Sequence, residues 1–506
     1  MRSLGHTPTA HTGTCELATG GTVLAISSTM LSRATGAWMV VLGTGLVAAC
    51  SSSPSSGGDD DGGASSGSGA GATTGTGSGA GTTGTGGSTA PPPDKPAPGS
   101  CQLSEPAFCE DFEVEAPGGV AGPLDEAKWG ISRWGHEWEN AFKFSPASTD
   151  MTFSPHATFC NDVFTNLVGM DSFAICDGVD AAGQTSKQLN EVFHDTGDFA
   201  FHSLLARQPF DFAGRTGTIA LDVELKFNPF NVGHGWWVEV WVVEDPVPVP
   251  YHGAPAVQSF PRNGVGFGFE GFDCNKGAWE NSLTRVVVTE DHEIVREDGG
   301  GDCFQTAEGV LNHLEIRLSE DAAEVWVSDA GDPTSFRKVG HADDLGLTFN
   351  RGYVVVQHSA YNAAKDDGTP SQTYRWDNIG FDGPVLPRAR GYEVPDNQAD
   401  GGQSYGWTLD GSGERFELQD LDLSDMQGAV LNVSYWPYED NPTLEYRLND
   451  GAWHSFQAPD QPGGYSLHSY SIPIDLGELV DGTNAVDLRA PGAALPIGNI
   501  DVTLLP

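Results

Sequence analysis

Period-two alternation is the feature that most constrains this chain. In GTIALDVELKF, Ile219, Leu221, Val223, Leu225 and Phe227 fall on one side, with Asp222, Glu224 and Lys226 on the other. Successive strand side chains point to opposite faces, so such a segment is self-consistent only as a half-buried strand. NHLEIRLSE repeats the pattern, with Leu314, Ile316 and Leu318 set against His313, Glu315 and Arg317. GVGFGFEGF aligns Val265, Phe267 and Phe269, and EVWVSDAGD and GYVVVQHSAYN extend the series. Helical periodicity is nearly absent, and Gly, Pro, Asn and Asp separate the runs. These residues predict an all-β chain built as an antiparallel β-sandwich or jelly roll. One strand is unusual. In GWWVEVWVVED, Val238, Val240 and Val242 share a face, while Trp237, Glu239 and Trp241 share the other.

A composition break divides the rest. RWDNIGFDGPVLPRARGYEVP reads as a closing strand followed by a proline-marked linker. Beyond it a second series begins, RFELQDLDL, AVLNVSYWPYE, TLEYRLNDGAW, YSLHSYSIPIDL and NAVDLRA. The expectation is a larger sandwich over 101–388 and a smaller accessory one over 391–506. Residues 51–100 are almost entirely Ser, Gly, Thr, Ala and Asp and end in PPPDKPAPGS. Such a segment cannot bury a core, and we expect a disordered tether with a reach of about 40 Å. Upstream, segment 30–50 has Arg33, an apolar run and small residues before Cys50, the order of a signal peptide. Residues 1–29 contain no such apolar run, so translation is expected to start at Met30.

Charge and cysteines narrow the function classes. Asp plus Glu number 69 against 25 Lys plus Arg, a formal charge of −44. Nucleic acid and anionic lipid are excluded as partners, because both demand clustered cations. Six cysteines follow Cys50, namely Cys101, Cys109, Cys160, Cys176, Cys274 and Cys303. An even number in an exported chain reads as disulfides, and sequential pairing, 101–109, 160–176 and 274–303, is expected. No Cys or His pair has zinc-finger spacing. No calcium loop of the DxDxDG type occurs in the folded part, so no cofactor is expected, and a structural calcium has no motif behind it.

Several segments resemble known families. Leu46-Val47-Ala48-Ala49-Cys50 resembles the lipobox of bacterial lipoproteins. That implies lipidation at Cys50 and anchoring to the bacterial envelope, facing out from the outer membrane, with the lipid as the sole membrane contact. GWWVEVWVVED, NHLEIRLSE, AAEVWVSDAG and the closing WDNIGFDG resemble the concanavalin A-like lectin/glucanase superfamily over 101–384. The run from Leu479 to Asn484 before the last strand resembles galactose-binding-like β-sandwiches.

The glucanases of that superfamily carry Glu-x-Asp-x-(x)-Glu on one strand. The resemblance implies Glu239 as nucleophile, and Glu244 as general acid if a β-bulge near Val242 and Val243 brings it to the same face. Trp241 stands where the motif has Asp, putting a bulky ring where a sugar would sit. That departure favours holding a glycan over cutting one. VVVQHSAYN resembles a strand of jelly-roll alginate lyases, with Tyr361 and Asn362 matching and Gln357 in place of Lys. It implies His358 or Tyr361 as base, and Arg207, Arg215 or Gln357 against a uronate carboxylate. A −44 chain suits a polyanion poorly.

The preferred reading is therefore binding of an extracellular polysaccharide or glycan in a groove of Trp237, Glu239 and Trp241, with His358, Tyr361 and Asn362 as partners. Indoles stack on sugar C–H faces and carboxylates accept hydroxyl hydrogen bonds. The alternatives are a glycoside hydrolase with Glu239 and Glu244, a lyase using His358 or Tyr361, and a surface adhesin or structural protein. Each residue also has a plainer reading. The tryptophans can pack under a covering segment, His358 can bond within its sheet, Trp376 can be core, and Asp377-Asn378 can brace a strand pair. KWGISRWGHEWEN, with Trp129, Trp134 and Trp138, is either that cover or more of the groove.

Overall fold

The structure is a computed structural model that describes residues 95–113, 125, 127–136, 172–181, 183–193, 199–225, 235–246, 263–270, 280–288, 294–298, 304–305, 310–329, 332–361, 372–394, 407–435, 443–457, 468–492 and 494–506. The expectations at Cys50, Cys160, Cys274, Cys303 and Asn362, and for most of the 51–100 tether, lie outside these residues.

The chain is all-β, two antiparallel sandwiches in succession. One sheet of the larger sandwich runs, in spatial order, Asp332–Asp343, Ala322–Asp329, Asn312–Leu318, Gly217–Val223, Gln372–Asp382, Thr185–Phe193 and Ser172–Val179. Pro106–Glu110 adds to its Gln372–Asp382 strand. The other runs Ile294–Asp298, Glu280–Val288, Gly264–Glu270, Gly235–Val243, Arg351–Tyr361, Phe199–Ala206 and Trp129–His136. The alternating residues meet between them. Ile219, Leu221, Val223, Leu314, Ile316 and Leu318 from the first sheet share one core with Val238, Val240, Val242, Val265, Phe267 and Phe269 from the second. Trp376 and Trp129 lie in this core as well, which makes Trp376 packing rather than platform. At about 25 cal/mol per Å² of apolar surface, such a shared core is the main stabilising term of the fold.

The smaller sandwich stacks the sheet Arg390–Glu393, Leu495–Leu505, Gly428–Tyr435 and His468–Ile474 on the sheet Glu414–Leu421, Gly482–Arg489, Thr443–Leu448 and His454–Gln457. Its core is separate, with Leu431, Val433, Tyr435, Tyr470, Val486 and Val502 among its buried members.

Cys101 and Cys109 form a disulfide, as the sequential pairing expects. Cys176 is disulfide-bonded too, and its expected partner lies outside the described residues. The first bridge holds the turn at Ser100–Gln102 on the outer face of the first sheet, where Cys101 and Leu103 pack on Ala220.

Candidate functional site

The Trp-Glu-Trp face belongs to the second sheet, on the side away from the core. In antiparallel pairs, residues directly opposite share a face. The register therefore draws lines across the sheet. Ser132, Ser203, Gln357, Glu239, Gly268 and Thr284 form one such line. Trp134, Phe201, Ser359, Trp237, Glu270 and Ser282 form the next. His136, Phe199, Tyr361 and Gly235 form a third. On the other flank lie Gly130, Leu205, Val355, Trp241, Gly266 and Val286.

The Glu239 line is a connected hydrogen-bond ladder. Ser203 Oγ donates to Gln357 Oε1 at 2.9 Å, and Gln357 Nε2 donates to Glu239 Oε2 at 2.8 Å. Trp241 Nε1 donates to the same oxygen at 3.2 Å. Glu239 is only 6 % exposed, and Ser203 and Gln357 are buried. A buried carboxylate is costly without donors, and hydrogen bonds to a charged group contribute about 1.5–3 kcal/mol each.

Four sequence expectations change here. Trp241, expected to line an open groove, is 1 % exposed. It packs with Leu205, Val243, Tyr353, Val355 and Ala389, and Leu505 of the smaller sandwich lies against this cluster. Its cover thus comes from the interdomain linker and the last strand. His358, expected as a ligand partner or base, shares its face with Val354 and Val356, which are core residues, and is fully buried. Residues 357 and 358 are neighbours on one strand, so they must point apart. Glu244 needed a bulge to join Glu239. The strand instead pairs both neighbours without a register shift through Val243, and Glu244 N continues the ladder to Asn263 O. Glu244 stands on the opposite parity, where Asn263 Nδ2 donates to its Oε2 at 2.6 Å. Arg207 and Arg215 are likewise engaged elsewhere, Arg207 Nε on Trp129 O and Arg215 with Asp382. By register, Tyr361 stands opposite Gly235 and Phe199, and Trp134 stands opposite Phe201 on the edge strand of the same sheet.

A second polar cluster lies on the outer face of the other sheet. Asp222 accepts from Gln102 Nε2 at 3.1 Å and Asn378 Nδ2 at 2.9 Å, with His313 Nδ1 at 2.8 Å. Asp377 stands directly opposite Asp222 and lies 2.5 Å from Ser186 Oγ. A register shift follows Asp377, and Asn378 takes φ 50°, which aims its amide at Asp222. Burial opposes charge on His313, yet hydrogen bonds and charge from Asp222 and Glu315 outweigh it and raise its pKa to about 9. Burial, reinforced by the charge of Asp222, pushes Asp377 up to about 8 against the Ser186 hydrogen bond. The alternation reads Asp222 and His313 as a solvated face. The disulfide-held turn sets Gln102 against Asp222, and Phe336 packs against the His313 ring, contacts that alternation does not show. Among the described residues no group of three or more His, Cys, Asp or Glu is arranged to hold a metal ion.

No protein-family model and no curated protein matches the chain. Among solved structures it is similar to a legume lectin-like domain from Entamoeba histolytica, at 11 % identity, TM-score 0.26, over 38 % of this chain and 82 % of that one. It is similar also to LamAcat from Zobellia galactanivorans, at 11 % identity, TM-score 0.31, over 55 % and 96 %. A β-1,3-glucanase from Mycobacterium marinum gives 12 % identity, TM-score 0.27, over 55 % and 100 %.

Proposed function

We propose that the chain is an exported, lipid-anchored surface protein that binds extracellular carbohydrate on the non-core face of the second sheet. The binding line is the one through Trp134, Phe201, Ser359, Trp237 and Glu270, with Tyr361 beside it. One observation carries this reading. The register sets aromatic, hydroxyl and carboxylate positions in a row across adjacent strands, next to a satisfied polar ladder. Six strands side by side span roughly 24 Å, room for a short oligosaccharide lying across them. Ring stacking contributes about 0.5–1.5 kcal/mol per aromatic, and the carboxylate orients hydroxyls. The anchor rests on the Leu46–Cys50 lipobox resemblance and the tether that follows it. The −44 charge favours a neutral glycan over a uronan.

The test is retention of the exported chain on a panel of glucans, galactans and uronans, with products assayed. The expected result is retention on a neutral glycan without new reducing ends, weakened at least tenfold by Trp237→Ala at unchanged unfolding temperature. Retention on none of the panel overturns the reading. New reducing ends would make the protein a hydrolase, and unsaturated products a lyase.

A further inference from the structure

Trp241 departs from a sugar-facing role, yet it touches the ladder. Its ring lies in the joint between the sandwiches, and its Nε1 donates to Glu239. The joint has two fixed points. At one, Leu505 packs against the cluster of Trp241, Leu205, Val243, Tyr353, Val355 and Ala389. At the other, Ala389 N donates to Arg207 O at 2.7 Å, and a Cβ on Gly391 would come within 2.0 Å of the Arg207 guanidinium. Arg207 directly follows the Phe199–Ala206 strand, which supplies Ser203 to the ladder. Between the sandwiches run Pro384 and Pro387, whose fixed φ limits hinge freedom.

We infer that the smaller sandwich positions Glu239, acting through Trp241, and so sets the geometry of the proposed glycan face. The contact path is short. Leu505 and Ala389 hold the indole from one side, and Gly266 leaves it room on another, where a Cβ would come within 2.5 Å of the ring. Held there, the indole N–H fixes one oxygen of Glu239 in a line with Gln357 Nε2. Two donors on one carboxylate oxygen leave its second oxygen a defined direction. The inference rests on the carbohydrate reading for its purpose, but its geometry does not. The smaller sandwich is then a buttress of the site, and Trp241 is a positioning residue.

The experiment follows the Trp241 indole N–H resonance of the full exported chain by hydrogen exchange. In the native protein the signal should be protected from exchange at a single, well-resolved chemical shift. Leu505→Asp, which puts a charge into the joint, should speed indole exchange at least tenfold and move the resonance away from its hydrogen-bonded position. Leu505→Met should restore both. The Trp129 and Trp376 resonances, in the larger core, report that the jelly roll remains folded. An unchanged Trp241 signal in Leu505→Asp, with those two intact, overturns the inference. No glycan is required, so a failure of the carbohydrate reading on the panel leaves this test able to decide.

Discussion

At the scale of single residues, buried charge is handled by two different devices. Glu239 is held by neutral donors from its own strand and the neighbouring one, whereas Asp222 is held partly by a charged His313. The second device is sensitive to pH. The folded pKa of His313, about 9, lies above its ordinary 6.5, so its stabilising effect is complete below pH 6.5 and is lost as pH rises through 9. Asp377, raised from 3.8 to about 8, acts in the same direction, because the folded state keeps a proton that the unfolded chain releases. Thermal unfolding should therefore shift downward between pH 6.5 and 9, by on the order of 3 kcal/mol for the histidine. His313→Gln should flatten that slope while lowering stability at pH 6. A flat profile in the native protein would contradict the assignment. None of this is legible from NHLEIRLSE, since a polar residue packed against a side chain of another strand, as His313 is against Phe336, has the same alternation as one in water.

At the scale of elements, the Gly235–Val243 strand was the most legible part of the chain. Its valines enter the core as alternation demands. What alternation cannot supply is the occupant of the opposite face. Glu239 and Trp241 are two residues apart on one side, yet Trp241 meets the accessory sandwich. The resemblance to a catalytic strand required a bulge at Val242 and Val243, and continuous pairing through Gly264 leaves no room for it. Gly266 is the local key to Trp241. Gly266→Ala should push the indole out of its seat and destabilise the protein by about 1–3 kcal/mol, as overpacking does. Chemical unfolding and tryptophan fluorescence measure it, and a neutral outcome would mean that the ring has slack.

At the scale of the whole molecule, two sandwiches form from one kind of pattern, and the proline-marked break near 384–390 separated them in the sequence. Their joint was not legible, because Leu505 reads as a last-strand residue and Ala389 as linker. It covers the Trp241 flank of the non-core face. The proposal that the line through Trp237 binds a glycan is tested most directly by hydrogen–deuterium exchange with and without the glycan retained in the panel. Protection should appear over residues 199–203, 235–239 and 357–361. Protection confined to 312–318 and 322–329 on the other sheet, or to the smaller sandwich, would contradict it.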